Sequence, residues 1–354
     1  MGSRIGTLKA NLEGPVLITG HTGFKGIWLT LLLEKMGIEV AGFSLPARNG
    51  SLYEKLDRQN KINEYLGDIR DLERFEKFLK LVKPSTIFHL AAQPLVMESY
   101  RNPLETFDVN IMGTANVLDA AVRSDFVKLV EVVTSDKVYA NSESGEKFTE
   151  NDRLWGYDPY SASKVGAEVA CSAWRRVIEE RDLNLKLVTV RSGNVIGGGD
   201  NSPGRLMTDI IEGLLAKKKI RIKNPHSTRP WQHVLDPLFG YILAADHALN
   251  SGDEDSYNFG PKTNSLSVEE VLTIVKSTWP MPMSIEFQNG SQNAESKLLD
   301  LNSEKSEKNL NWNPIWTQET AVKTTLNWWE NVELRNISEV EACNLDLDYM
   351  WSKL

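Results

Sequence analysis

Near the start of the chain a glycine triplet follows an apolar run, and few folds admit that order. Pro15-Val-Leu-Ile-Thr19 is short and continuously apolar, the pattern of a buried strand. Gly20, Gly23 and Gly26 come next at three-residue spacing. From Phe24 to Met36 apolar residues recur at helical spacing, and Ile38-Glu-Val-Ala-Gly-Phe43 reads as a second strand. Strand, glycine turn, helix and strand open a βαβ unit. The first glycine permits the tight turn, the second lets the backbone approach a pyrophosphate, and the third lets helix pack on strand. The helix N-terminus then offers free N–H groups and a positive dipole end. Gly20, Thr22, Gly23, Phe24, Lys25 and Gly26 are the first candidates for holding a dinucleotide.

The alternation continues. Helices are expected over 71–82, 103–123 and 158–181, and strands over 86–90, 129–134 and 185–191. This predicts an α/β fold, a Rossmann-type doubly wound parallel sheet covered on both faces. After about Gly193 the rhythm changes to loops and shorter elements, with helices expected at 267–278 and 318–330. The expected division is a dinucleotide-binding domain of residues 1–195 plus about 231–260, and a smaller C-terminal α/β substrate lobe of 196–230 plus 261–354. The acidic stretch beyond Asn331 has no assigned place.

Bulk properties narrow the function. The 354 residues suit one large α/β unit or two joined lobes. A net charge of -8 argues against a nucleic-acid or membrane-surface role, though a local basic pocket can still bind phosphate. Two cysteines and scattered histidines give neither a disulfide framework nor a metal-site spacing. Residues 1–13 lack the apolar core of a signal peptide, and no apolar run is long enough to span a bilayer. A cytoplasmic location is the default expectation.

Further pieces support the dinucleotide reading. In Gly67-Asp-Ile-Arg-Asp71, Asp68 can accept from an adenine amino group while Ile69 covers the ring; Asp71 reads as a helix cap. Leu90, Ala91 and Ala92 end a strand with small residues that let backbone lie against a cofactor. At the end of the second strand Ser44 can bond a ribose hydroxyl, and Arg48 can meet a 2′-phosphate, which leaves NAD versus NADP open.

Tyr160 and Lys164 lie four apart on one helix face. An ammonium near a phenol favours the phenolate, so the tyrosine pKa is expected to fall below about 10. A phenolate can take a proton from a sugar hydroxyl as hydride leaves the same carbon. Ser135, Asp136 and Lys137 end a central strand, where ligand crevices open in such sheets. Ser135 can bond the hydroxyl being oxidised. Asp136 and Lys137 add an acid/base pair that simple alcohol oxidation does not need.

These residues resemble the extended short-chain dehydrogenases that modify nucleotide sugars, and among them the CDP-glucose 4,6-dehydratases. The resemblance runs from about Gly14 to Glu330. It rests on Gly20-His-Thr-Gly-Phe-Lys-Gly26, Ala91-Ala-Gln-Pro-Leu-Val96, Thr134-Ser-Asp-Lys137, Gly156-Tyr-Asp-Pro-Tyr-Ser-Ala-Ser-Lys164, Gly193-Asn-Val-Ile-Gly-Gly-Gly-Asp200 and Arg229-Pro-Trp-Gln-His-Val-Leu-Asp236. Met97 and Val138 depart from it. The resemblance implies a bound NAD, a nucleotide-diphosphate sugar as substrate, and a homodimer built on the helices 103–123 and 162–181. It implies that Tyr160 deprotonates the carbon 4 hydroxyl, Lys137 removes the carbon 5 proton, and Asp136 protonates the departing carbon 6 hydroxyl. Gln93, Asn194, Arg205, Arg229 and His233 match positions around the sugar and diphosphate. His233 reads equally well as a structural histidine, and Asp236 as the cap of the following helix. A 4-epimerase or 4-reductase on the same fold is the alternative, since neither needs an acid/base pair for carbons 5 and 6. A dinucleotide sensor without catalysis ranks behind both, because Tyr160 and Lys164 are both present.

Overall fold

The structure is a computed structural model that describes residues 6, 8, 11–12, 14–143, 145–222, 224–251, 255–288 and 298–354. Six strands follow the expected order: β1 (Val16–Thr19), β2 (Val40–Ser44), β3 (Asn63–Leu66), β4 (Thr86–His89), β5 (Leu129–Val133) and β6 (Lys186–Ser192). With Ser256–Phe259 they form one seven-stranded sheet, ordered Ser256–Phe259, β6, β5, β4, β1, β2, β3. Every pairing is parallel. The strand order reverses between β1 and β4, the place where such sheets open a ligand crevice.

Side chains of alternate residues feed two cores, one on each face. Val16, Ile18, Phe88, Val133 and Val190 face the helices Phe24–Lys35 and Leu235–Ser251. Leu17, Phe43, Ile87, Val130 and Leu187 face Leu72–Val82, Gly113–Val122 and Pro159–Glu180. Burial on both faces explains why the strands are continuously apolar instead of alternating. Burying one such Leu, Ile or Phe stabilises the fold by roughly 1.5–3 kcal/mol.

The helix expected over 103–123 is interrupted. It runs as Pro103–Phe107, a π-helical turn Asp108–Met112, and Gly113–Val122. The extra residue turns Asn110 inward, where it is 1% exposed.

Beyond β6 three two-stranded pairings form: Val195–Ile196 with Gln232–His233, Thr228–Arg229 with Leu266–Ser267, and Ile220–Ile222 with Ile285–Phe287. The helix Gln318–Arg335 packs on Val268–Thr278. The stretch left without a place is a further helix, Glu339–Trp351, capped by Ser338 and packed on Gln318–Arg335 through Ala342, Cys343, Leu347 and Met350.

Candidate active site

The glycine turn is held by contact on every side. Gly20 has φ +77°, and a Cβ there would stand 2.8 Å from the Ala91 nitrogen. A Cβ on Gly26 would stand 2.1 Å from the Gly20 carbonyl oxygen. No side chain larger than hydrogen fits at either place. The turn, the helix start and the end of β4 therefore meet at backbone distance. Gly23 is the N-cap of Phe24–Lys35, with no side chain capping the first turn. Those N–H groups are the donors that a pyrophosphate would need. The cradle fits a dinucleotide.

Neighbouring groups fix the cradle. Thr22 Oγ1 lies 2.8 Å from Ser44 Oγ and donates to the Leu45 carbonyl at 3.0 Å, tying the turn to the end of β2. His89 lies between Thr19 Oγ1 at 2.7 Å and Thr114 Oγ1 at 3.1 Å, and burial lowers its pKa to about 3, so it stays neutral. Thr19 Oγ1 in turn accepts from the Ala91 N–H at 3.2 Å. Ile69 is buried against Gly113, where a Cβ would come within 2.7 Å. Asp68 is gripped by Arg70, whose hydrogen bonds at 2.6–3.0 Å hold its carboxyl below the usual range. Asp71 caps Leu72–Val82, as its position suggested.

The catalytic candidates converge at the carboxyl ends of β5 and β6. Ser135 Oγ donates to Asp136 Oδ1 at 3.0 Å, accepts from the Lys137 N–H at 3.2 Å, and is hydrogen-bonded to the Tyr160 phenol. Asp136 is 2% exposed, and its Oδ2 has no hydrogen-bond partner among the described residues. Burial raises its pKa; the charges of Lys137, Arg229 and Lys25, with the Ser135 bond, pull the other way. Gly193 makes room for this carboxyl, since a Cβ there would stand 3.0 Å from Oδ2. Lys164 Nζ donates to the Val133 carbonyl at 3.0 Å, and burial lowers it to about 8 while Glu168 opposes.

Four expectations need correction. Tyr160 is not an acidified phenol in this structure: burial pushes it up to about 12, with the Ser135 bond only partly offsetting that. Desolvation, with the charge of Asp136 added to it, outweighs the attraction of Arg205. His233 is fully buried, stacked on Trp316 at 4.3 Å, with Nε2 3.4 Å from Asp346 Oδ2, so its place is structural. The Gln93 side chain bonds the Leu95 backbone within its own loop and Thr106 on the helix Pro103–Phe107, so its amide is engaged in holding that loop. Asp236 does not cap its helix. Its carboxylate accepts from the Ile315 N–H at 2.6 Å and the Trp316 N–H at 3.3 Å, linking Leu235–Ser251 to the chain before Gln318–Arg335.

Other residues were missed or placed too loosely. Lys25 reaches past the glycine turn, donating to Ser192 Oγ at 2.7 Å and Tyr241 OH at 3.1 Å. Burial lowers it to about 7, helped by the charge of Arg205 and opposed by Asp136. It belongs to the charged centre as much as to the cradle. Its presence inside an otherwise apolar helix start was the available signal. Asn110 accepts from the Gln93 N–H at 2.8 Å and donates to Ser163 Oγ at 2.8 Å, bracing the loop after β4 against the tyrosine helix. Nothing in the local sequence announces it. Arg205 bonds Asp200 at 3.0 Å and its charge reaches Tyr160; Arg229 is buried and its charge reaches Asp136. Asn194 is half-buried beside them, its carbonyl accepting from the Gln232 N–H at 3.2 Å.

A glycine cradle for a dinucleotide, a buried Ser–Tyr–Lys group and a flanking Asp–Lys pair on a doubly wound sheet define a class of sugar-modifying redox enzyme. The chain belongs to the GDP-mannose 4,6 dehydratase family of extended short-chain dehydrogenases, whose model matches residues 17–339. It is 38% identical to a CDP-glucose 4,6-dehydratase of Salmonella typhimurium over 321 residues, 88% of this chain and 89% of that one. It is 25% identical to a UDP-glucose 4-epimerase of Halalkalibacterium halodurans, over 88% of this chain and 95% of the other. Its fold matches that of a dTDP-glucose 4,6-dehydratase from Streptomyces venezuelae, solved with NAD and TYD bound, at TM-score 0.79 and 23% identity, covering 91% of this chain and 98% of that one.

Proposed function

We propose that this protein is a CDP-glucose 4,6-dehydratase, converting CDP-glucose to CDP-4-keto-6-deoxyglucose with NAD. The observation that carries the chemistry is Asp136, a buried carboxyl raised by desolvation, joined through Ser135 to Tyr160 and followed directly by Lys137. A carboxyl whose burial favours the protonated form is suited to protonating a leaving hydroxyl. An epimerase has no use for that proton.

The glycine turn, Thr22 and the first turn of Phe24–Lys35 would hold the dinucleotide phosphates, with Ser44, Asp68, Ile69 and Leu90–Ala92 around the adenosine half and Lys164 at the nicotinamide ribose. A bound NAD would supply a hydride acceptor for carbon 4, a hydride donor for carbon 6 and a positive charge in the centre. Tyr160, assisted by Ser135, takes the proton of the carbon 4 hydroxyl. The carbon 5 proton, acidified by the new ketone, goes to Lys137. Asp136 protonates the carbon 6 hydroxyl, which leaves as water. Arg205 and Arg229 neutralise the diphosphate, where planar guanidinium donors suit paired phosphate oxygens.

The similarity to the Salmonella enzyme and the Asp-Lys step favour the cytidine nucleotide. We assign the working form as a cytoplasmic homodimer. The apolar side chains of Leu104, Met112 and Val169, each more than half exposed on the two helices flanking the sheet, support a second copy there. Free Cys171 and Cys343 suit a reducing compartment.

The test is incubation of the purified protein and NAD with CDP-glucose, in parallel with thymidine, uridine and GDP sugars, followed by mass spectrometry. Loss of one water from CDP-glucose without net NADH is expected. Loss only from another nucleotide sugar reassigns the substrate, and reduction or epimerisation without water loss overturns the dehydratase reading.

A further inference from the structure

The next step rests on the dehydratase reading and concerns how the enzyme returns to its starting state. Removing water from the sugar moves protons unevenly. The carbon 4 O–H bond breaks and its proton goes to the Tyr160 phenolate. The carbon 6 C–O bond breaks and the departing hydroxyl takes its proton from Asp136. The proton taken from carbon 5 by the base is given back there. After one turnover Tyr160 therefore holds one proton more than at the start, and Asp136 one fewer. Both side chains are buried, Tyr160 at 9% and Asp136 at 2% exposure, so bulk water is a poor carrier between them.

One hydroxyl stands between the two groups. Ser135 Oγ is hydrogen-bonded to the Tyr160 phenol and donates to Asp136 Oδ1 at 3.0 Å. Ser135 Oγ also accepts from the Lys137 N–H at 3.2 Å, which fixes the serine at the head of the turn Asp136–Val138. Ser135 Oγ therefore touches both groups at once, with its proton on the Asp136 side. Asp136 Oδ2 has no partner among the described residues, so the relay through Oδ1 leaves it for the sugar.

We propose that Ser135 is the proton relay that resets the active site between turnovers. The Tyr160 O–H bond breaks as its proton joins Ser135 Oγ, while the Ser135 O–H bond breaks as its proton joins Asp136 Oδ1. The serine oxygen loses one proton and gains one, the phenol oxygen loses one, and the carboxylate oxygen gains one. With the positive charge of bound NAD favouring the phenolate that burial alone disfavours, a phenolate and a protonated carboxyl are restored together, with no proton drawn from solvent. Burial disfavours the charged form of both groups, and a concerted transfer avoids exposing either intermediate charge to water.

The experiment compares first-turnover and steady-state rates of water loss from CDP-glucose, using NAD-loaded enzyme, rapid quenching and mass spectrometry. For Ser135→Ala the steady-state rate should fall ~100-fold, the usual scale for a lost proton-transfer group, with a visibly smaller fall in the first turnover. Product should then appear as a burst near one per site. Ser135→Thr, which keeps the hydroxyl, should close most of that gap. An equal fall in both rates overturns the relay and leaves Ser135 only a sugar-binding role. A proton inventory of the wild-type steady state in mixed light and heavy water should bow, as two protons move; a straight line overturns the proposal even if the alanine variant does not fold. Without sugar, ultraviolet difference titration against Tyr160→Phe should show the phenol midpoint rising in Ser135→Ala, and an unmoved midpoint also refutes the link. Absence of water loss in the wild type refutes the dehydratase reading itself, a distinct result.

Discussion

Glu168→Gln should destabilise the protein by ~3–5 kcal/mol and lower the pKa of Lys164 at once. Glu168 Oε1 accepts from Arg191 Nε at 2.7 Å and Thr134 Oγ1 at 2.6 Å, and Oε2 accepts from Arg191 Nη2 at 3.0 Å. Both side chains are 3% exposed. Burial opposes ionisation of Glu168, yet the Arg191 bonds hold its pKa below the ordinary value. At an effective dielectric of about 20, charges ~3 Å apart attract by about 6 kcal/mol, much of it offset by desolvation. Removing one charge strands the other without water, which is why the cost of breaking such a pair reaches ~3–5 kcal/mol. At about 2 cal/mol/K of unfolding entropy per residue, 354 residues turn that loss into a drop in Tm of roughly 5 °C. The Glu168 charge also raises the Lys164 pKa against the burial that lowers it to about 8. Its loss should make Lys164 neutral over more of the working pH range. Calorimetric melting of Glu168→Gln, Arg191→Met and the Glu168→Leu/Arg191→Met double variant checks the reasoning. The double variant should lose less than the sum of its parts by ~2 kcal/mol, since no charge is stranded. Additive losses, or a single-variant Tm within 1 °C of wild type, would refute it.

Other perturbations follow from geometry already described. Gly26→Ala places a methyl 2.1 Å from the Gly20 carbonyl, against backbone that cannot yield, so NAD affinity measured by calorimetry should fall at least ~100-fold. Burial raises Asp236 from its ordinary value to about 8, so between about pH 4 and 8 the unfolded chain binds fewer protons than the folded one and this group's contribution to stability falls as pH rises. In urea unfolding at about pH 6 and pH 7.5, Asp236→Asn should lose about 2 kcal/mol less than wild type over that interval, and matching slopes would refute it. Leu104→Glu, at a side chain 86% exposed, should convert a dimer to monomer in sedimentation analysis while leaving the melting of the monomer unit unchanged.

Most of the sheet could be read from the sequence because its strands are buried on both faces and punctuated by turn residues. Helix periodicity gave Phe24–Lys35, Leu72–Val82 and Pro159–Glu180 to within a residue or two of their ends. The π-helical turn at Asp108–Met112 was not legible, since its cause is a set of contacts between Asn110, Gln93 and Ser163 brought from separate segments. The helix Glu339–Trp351 escaped for a related reason. Its buried residues Ala342, Cys343, Leu347 and Met350 lie among acidic ones, and only the packed surface shows which face is apolar. At the site, motif spacing located Ser135, Asp136, Tyr160 and Lys164, while their ionisation depended on burial that spacing does not report. The same gap left the two readings of His233 undecided, since its neighbours Trp316 and Asp346 lie far along the chain.

The interrupted helix gives the molecule a way to change its surface without touching its centre. One residue of α-helix turns by about 100°, so an extra one sets the two halves of Pro103–Val122 out of phase. Leu104 and Phe107 ahead of the offset answer to the exterior, while Val117, Leu118 and Ala121 behind it answer to the sheet. Asn110 sits at the seam and clamps both to the loop after β4. Substitutions in the leading half can drift under selection for partners or solubility, and the trailing half keeps its registration. Deleting a single residue at the seam would do the opposite, rotating the outer stripe inward and severing the clamp in one step.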